Sequence, residues 1–375
     1  MIKIIADDKI PFLEGVLEPY AEIKYMPGKK IDREILKNAD ALLIRTRTKC
    51  TKNLLKDTRV RFIGTATIGF DHIDTQYCDD NGIIWTNAPG CNSSSVQQYI
   101  AAALLKLSLD FRFSLKAKTL GIVGVGNVGS KIEKLGKALG MKVLLNDPPR
   151  ARKEGAKFFT DFDTILKDSD IVTLHVPLNI VGEDKTYHFI NERTVRKMKK
   201  NVWFINSSRG EVADTSSVKK ALDSGRFGGA VIDVWEHEPD LDMELMNRAF
   251  IATPHIAGYS TDGKANGTAM IVNALAKFFN LPFSDWYPVQ IPAPPDPVIS
   301  IDAKEKTDES VIREAVSHTY NISEDDLKLR FSPADFEKQR GDYQVRREFT
   351  SYEIKLKNCS KTVKKTLRNI GFKVQ

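Results

Sequence analysis

A chain of 375 residues is too long for one hydrophobic core and calls for about two or three domains. With 42% hydrophobic and 28% charged residues it has the balance of a soluble globular protein, and no run of about 18 apolar residues offers a membrane span. The net charge of +7 admits nucleic acid, an anionic membrane or an anionic small molecule. The basic residues are dispersed, apart from an enriched tail beginning at Lys355, and no nucleic-acid signature accompanies them, so neither nucleic acid nor membrane is expected.

The N-terminus "MIKIIADDKIPFL" runs straight into a short β-like stretch without the long apolar core of a signal peptide, so a cytoplasmic location is expected. Short strands rich in Ile and Val are expected in "IKIIAD", "AEIKYM", "ADALLIRT", "VRFIGTA" and "GIIWTNA", with helical pieces such as "DREILKNA" between them. That alternation predicts a parallel sheet with helices on both faces. The serines at 93–95 open a long, largely buried helix that connects two domains. A second series begins at Lys118. Its six strands, "TLGIVGVG", "MKVLLNDP", "IVTLHVPL", "NVWFINSS", "GGAVIDVW" and "AFIATPH", alternate with helices and predict a doubly wound dinucleotide-binding domain. A further helix follows His255. Six prolines between Pro282 and Pro297 then exclude helix and central strand and mark a linker, beyond which lies a small α+β module.

The fold class expected is therefore α/β: two doubly wound parallel-sheet domains, one of them split, with a C-terminal module. The boundaries are 1–95 with 257–285, 96–256, and 286–375. Cys50, Cys78, Cys91 and Cys359 are far apart with no CxxC pairing, so free thiols are expected and no metal site is.

Gly124-Val125-Gly126-Asn127-Val128-Gly129 is a GxGxxG between a strand and a helix, the context that gives this short pattern meaning. Gly126 lets backbone approach a pyrophosphate, and Gly129 lets the helix pack on its strand. Asp147 ends the next strand, 18 residues after Gly129. A carboxylate there accepts from ribose hydroxyls and repels a 2′-phosphate, which favours NAD over NADP. Arg150 leans the other way.

Three further motifs end later strands: "NSSRGEVAD" with Arg209, "IDVWEHEP" with Asp233 and Glu238, and "TPHIAGYS" with His255. The ordered set "GVGNVG", "LHVPL", "INSSRG", "IDVWEHEP", "TPHIAG" resembles the D-isomer-specific 2-hydroxyacid dehydrogenase family over residues 1–285. The resemblance implies a cleft between a split substrate domain and the NAD domain. It also implies that Asp233 contacts the nicotinamide and that Asn127, Val128, Val176, Ser208 and Gly258 complete the cofactor contacts. Val176 departs from the threonine frequent at its position. By residue type, the Arg209 fork binds a carboxylate in two places, His255 takes the C2-hydroxyl proton, and Glu238 fixes the imidazole tautomer. The loop "GTATIGFDHID" resembles the one that offers N–H groups to the substrate carboxylate.

Three features favour a long, phosphorylated 2-hydroxy acid as substrate. "RTRTKC" and "GTAT" supply Arg45, Thr46, Arg47, Thr48, Thr65 and Thr67; Tyr259 follows Gly258; and "DYQVRREF" holds Arg346 and Arg347. Within the family these resemble a subgroup in which Thr46, Thr67 and Tyr259 match substrate contacts and the C-terminal module dimerises. A homodimer is expected, with Arg346 or Arg347 reaching a phosphate. The competing expectations are a phosphoglycerate- or glycerate-type dehydrogenase, which the C-terminal module argues against, and an NAD-sensing binding protein that keeps the fold.

Overall fold

A computed structural model describes residues 1–375. The chain forms two compact units, residues 1–92 with 260–292, and residues 93–259 with 293–375. In the first unit β1 (Ile2–Asp7), β2 (Ala21–Met26), β3 (Ala41–Ile44), β4 (Phe62–Thr65) and β5 (Ile84–Thr86) form a sheet in the order β2-β1-β3-β4-β5. Every pairing is parallel. The central strands β3 and β4 are buried on both faces, which is why "ALLI" and "FIGT" read as unbroken short runs rather than alternating ones. The helix Thr261–Phe278 places Ile271, Val272 and Leu275 against Leu43 and Phe62. Each such side chain contributes about 1.5–3 kcal/mol by leaving water.

In the second unit β6 (Thr119–Val123), β7 (Lys142–Asn146), β8 (Ile171–Leu174), β9 (Val202–Asn206), β10 (Phe227–Ile232) and β11 (Ile251–Ala252) form a parallel sheet in the order β11-β10-β9-β8-β6-β7. All six strands expected from the sequence are present. The order reverses between β6 and β8, so a crevice opens at the carboxyl ends of those strands. The helix Ser93–Asp110 is buried along most of its length. Its Ile100 and Leu104 share a core with Leu120, Ile205 and Val316.

The C-terminal module belongs to this same unit. Its strands β12 (Val298–Asp302), β13 (Glu353–Lys357) and β14 (Lys373–Val374) run parallel and are joined by helices, so the expected α+β module is built in the α/β manner. The helix Ile322–Phe331 serves the exposed end of the larger sheet: Asp326 Oδ1 accepts from the Ala252 N–H at 2.7 Å, and Arg330 donates to the Met246 and Ala249 carbonyls at 2.8 Å each. An edge strand is thereby covered rather than left as a template for another chain. The proline segment carries no helix or strand until β12 begins at Val298. All four cysteines are free thiols, and no helix is long and apolar enough to cross a membrane.

Candidate active site

The first part of the site is the turn after β6. The helix Asn127–Ala138 starts at Gly126 with no side-chain cap, so its leading N–H groups remain available to an anion. A Cβ on Gly129 would lie 2.0 Å from the Gly124 carbonyl oxygen, so only glycine allows the helix this close to the strand. A Cβ on Gly126 would meet nothing within 4 Å, which leaves the open space a pyrophosphate needs. Val176, after β8, borders the same turn at Gly124.

Asp147 ends β7 as expected, and it has a structural duty that the sequence did not reveal. Its Oδ2 accepts from the Val125 N–H at 2.8 Å, and its Oδ1 accepts from the Arg150 N–H at 3.0 Å, capping the helix Pro148–Glu154. Arg150 is held by Glu154 through two bonds of 2.7 and 2.6 Å, donates to the Val125 carbonyl at 2.5 Å and lies over Phe159. Its fork is filled from within the chain, so Arg150 gives no support to a 2′-phosphate. The residues fit NAD.

The second part is assembled from the carboxyl ends of β9, β10 and β11. Asn206 ends β9 and shapes the next turn: its Oδ1 accepts from the Ser208 N–H and hydroxyl, and its Nδ2 donates to the Arg209 carbonyl. Arg209 is half-buried and donates to the Ser208 carbonyl at 2.8 Å. A Cβ on Gly210 would lie 2.0 Å from the Trp235 carbonyl carbon and 2.4 Å from the Glu236 nitrogen. Glycine there lets the Arg209 turn pack directly on the loop that carries Glu238. That loop holds a cis Glu238–Pro239 peptide.

His255 and Glu238 meet. The His255 Nδ1 lies 2.8 and 3.1 Å from the two Glu238 carboxylate oxygens. The Trp235 N–H donates to Glu238 Oε1 at 3.0 Å and fixes that carboxylate from behind. Burial opposes ionisation of Glu238, but the charge and hydrogen bond of His255, the Trp235 N–H and the charge of Arg340 outweigh it and hold the carboxyl below its ordinary value. An ionised acceptor at Nδ1 favours a proton on that nitrogen and leaves the Nε2 lone pair as base. His255 has φ 56°, a strained conformation for a residue with a side chain, kept in place by bonds from its N–H to the Asp233 and Thr253 carbonyls.

Asp233 is buried beneath this loop. Its Oδ1 accepts from the Thr253 hydroxyl at 2.6 Å and the Ile256 N–H at 2.8 Å, and its Oδ2 accepts from the Ala257 N–H at 3.0 Å. Burial pushes its carboxyl up, against the charge of His255 and these donors. The role visible for Asp233 is thus to build the 253–257 turn. Tyr99, on the long helix, bonds the Thr253 hydroxyl at 2.8 Å, and the Trp235 indole donates to the Thr253 carbonyl at 3.0 Å. Neither Tyr99 nor Thr253 was singled out by sequence, because each acts through a contact distant in the chain.

Arg346 requires a correction. It is 3% exposed, lies over the Tyr320 and Tyr343 rings, and donates to the Ala257 carbonyl at 2.6 Å and to the Ser95 hydroxyl. It is a clamp on the histidine loop, committed inside the fold, and not a phosphate ligand. Arg347 is half-buried, and its carbonyl accepts from the Gln98 amide at 2.9 Å. Tyr259 is half-buried, edge-on to Tyr343, with the Arg340 guanidinium over its ring at 5.7 Å.

The remaining expected residues lie in the first unit, at the carboxyl ends of β3 and β4. Thr46 is exposed, and Arg45 donates to the Lys9 carbonyl at 3.1 Å. Thr67 is half-buried and bonded to the Thr65 hydroxyl at 2.7 Å and the Gly69 carbonyl at 3.0 Å. Thr48 and Thr65 turn inward: Thr48 bonds the Gly28 carbonyl, and Thr65 bonds Thr67 and His72. These two buried hydroxyls are structural, not ligands for a polyhydroxy chain.

A family model described as the NAD-binding domain of D-isomer-specific 2-hydroxyacid dehydrogenases matches residues 99–257, and one described as a domain of unknown function matches residues 293–371. A Bacteroides thetaiotaomicron protein named erythronate-4-phosphate dehydrogenase is 48% identical over 359 residues, covering 94% of this chain and 99% of its own. A Proteus mirabilis protein of the same name is 39% identical, covering 99% of each. Among solved structures, a D-lactate dehydrogenase from Aquifex aeolicus complexed with NAD and lactic acid is 29% identical, with a TM-score of 0.63 over 74% of this chain and 95% of that one. A Staphylococcus aureus NAD-dependent formate dehydrogenase in complex with NAD shares the fold at 21% identity and a TM-score of 0.62, over 78% of this chain and 100% of that one.

Proposed function

The chain belongs to the D-isomer-specific 2-hydroxyacid dehydrogenase family and takes NAD as its cofactor, and from that premise we propose that it oxidises 4-phospho-D-erythronate to 2-oxo-3-hydroxy-4-phosphobutanoate. The name carried by relatives at 39–48% identity over nearly the full chain supports the substrate. The observation that carries the chemistry is the His255–Glu238 pair at 2.8 Å.

In this reading the His255 Nε2 accepts the C2-hydroxyl proton while the hydride leaves the same carbon. Glu238 holds Nδ1–H and stabilises the imidazolium that forms. Arg209 binds the carboxylate and orients C2. NAD, when bound, supplies the hydride acceptor, so one alcohol and one NAD yield one ketone, one NADH and one proton. Arg45, Thr46, Thr67 and Tyr259 contact the rest of the substrate, and Arg347 remains a candidate for its phosphate. Asp147, Val176, Ser208, Asp233 and Gly258 border the cofactor with the Gly124–Gly129 turn. The setting is the synthesis of pyridoxal 5′-phosphate, in the cytoplasm, by a homodimer joined through the C-terminal module.

The test is NADH formation with a panel of phosphorylated and plain 2-hydroxy acids. The reading expects 4-phospho-D-erythronate to give the highest kcat/KM. A higher value with glycerate or 3-phosphoglycerate overturns the substrate, and NADH binding without turnover of any acid overturns the reaction.

A further inference from the structure

The residues matched only by a domain of unknown function send one side chain to the catalytic pair. Arg340 lies on the short helix Phe336–Gly341, and its side chain is 15% exposed. Its Nη1 is 3.9 Å from Glu238 Oε2, the oxygen that holds His255 most closely, and 3.5 Å from Glu337 Oε1. Its guanidinium lies over the Tyr259 ring at 5.7 Å and the Phe336 ring at 5.5 Å.

What distinguishes Arg340 is unused capacity. A guanidinium carries five N–H donors in a planar fork. Here Nε is buried with no hydrogen-bond partner, and both carboxylates stand at or beyond the outer limit of a good hydrogen bond. A largely buried cation with one N–H unmet and its ion pairs stretched is costly unless a ligand completes it. Arg346, only six positions on, shares the unpartnered Nε, and the contrast lies in the terminal nitrogens: its Nη2 donates to the Ala257 carbonyl and to Ser95, while the nearest carboxylate oxygens to Arg340 Nη1 stand at 3.5 and 3.9 Å. The aromatic faces of Tyr259 and Phe336 hold the Arg340 charge in place without occupying its N–H groups.

We propose that Arg340 binds the phosphate of the substrate, making the C-terminal module a part of substrate recognition. The proposal rests on the reading of the substrate as a phosphorylated 2-hydroxy acid. A phosphate offers three acceptor oxygens and a double charge, which suits a fork whose two carboxylate neighbours stand at 3.5 and 3.9 Å. With Arg209 assigned to the carboxylate at one end, Arg340 beside Tyr259 serves the other. The arginine also shields the incoming anion from the Glu238 carboxylate.

The experiment compares wild type, Arg340→Gln and Arg340→Lys with 4-phospho-D-erythronate and with D-erythronate, by steady-state NADH formation. The preference for the phosphorylated acid, as a ratio of kcat/KM values, falls roughly 10- to 100-fold in Arg340→Gln, and Arg340→Lys recovers part of it. An equal loss on both acids overturns the proposal and makes Arg340 a positioning residue acting through Glu238; an unchanged ratio overturns it outright. Where D-erythronate turns over too slowly, competitive inhibition by inorganic phosphate replaces it: the inhibition constant rises about 10-fold or more in Arg340→Gln, and an unchanged constant counts against the proposal. NADH binding, read by fluorescence, confirms that each variant is folded. Wild type that binds NADH but turns over neither acid defeats the substrate reading itself, a result distinct from failure of the variant.

Discussion

Replacing Glu238 by Gln removes a charge while keeping an oxygen within reach of His255. The His255 Nδ1 to Glu238 Oε2 distance is 2.8 Å, and the two side chains are 28% and 20% exposed. Unit charges about 4 Å apart interact by about 4 kcal/mol at an effective dielectric of about 20, and the water at the partly open edges reduces this. A net loss of about 1.4–3 kcal/mol follows for the imidazolium formed as the proton leaves C2, which slows turnover about 10- to 100-fold. Glu238 has its carboxyl held below the ordinary value, so it stays ionised as pH falls through the usual carboxylate range, and the variant differs from the wild type across the assay range by the loss of that charge. Stopped-flow measurement of the hydride step at neutral pH isolates the change from product release. A Glu238→Gln enzyme with the wild-type rate for that step would refute the reasoning.

Asp147→Ala raises the dissociation constant for NAD about 10-fold without improving NADP use, because Glu154 still fills the Arg150 fork; the double variant with Glu154→Ala shifts kcat/KM toward NADP, again about 10-fold. Parallel kinetics with both cofactors decide it, and NADP use gained by the single variant contradicts it. Gly210→Ala drives a methyl into the Trp235 backbone and costs about 1–3 kcal/mol, seen as a lower Tm together with a lower kcat as Arg209 shifts. Arg346→Met leaves the Ala257 carbonyl with Ser95 alone and loses about 1–3 kcal/mol of stability; faster hydrogen exchange at Ile256 and Ala257 marks the freed loop.

Elements and motifs were legible where the physics is local. Buried strands such as "ALLI" and "IVTL" announce themselves by apolar composition, and the glycine turn by its place between strand and helix. The order of Arg209, Glu238 and His255 after successive strands pointed to one site because strand ends in such sheets converge. The partners that finish the site were not legible. Tyr99 reaches Thr253, Arg346 reaches Ala257 and Arg340 reaches Glu238 across long separations, and no pattern in "EKQRGDY" or "SVQQYI" marks those contacts. Of two arginines expected near a phosphate, Arg346 proved to be buried and bonded to the Ala257 carbonyl, and the arginine beside Glu238 lies outside the motif. Residue type pointed to the chemistry, and burial took Arg346 out of reach of a ligand.

The clamp on the histidine loop also bears on how the chain matures during synthesis. The Ala257 carbonyl has Ser95 upstream but waits for its second donor, 89 residues downstream, and the edge of β11 waits for Asp326. A nascent chain whose larger sheet has already formed still lacks the arginine that fixes the turn after His255. The groups that hold His255 itself, Asp233, Thr253 and Glu238, all emerge before it, so the base is set early and the turn that follows it is steadied late.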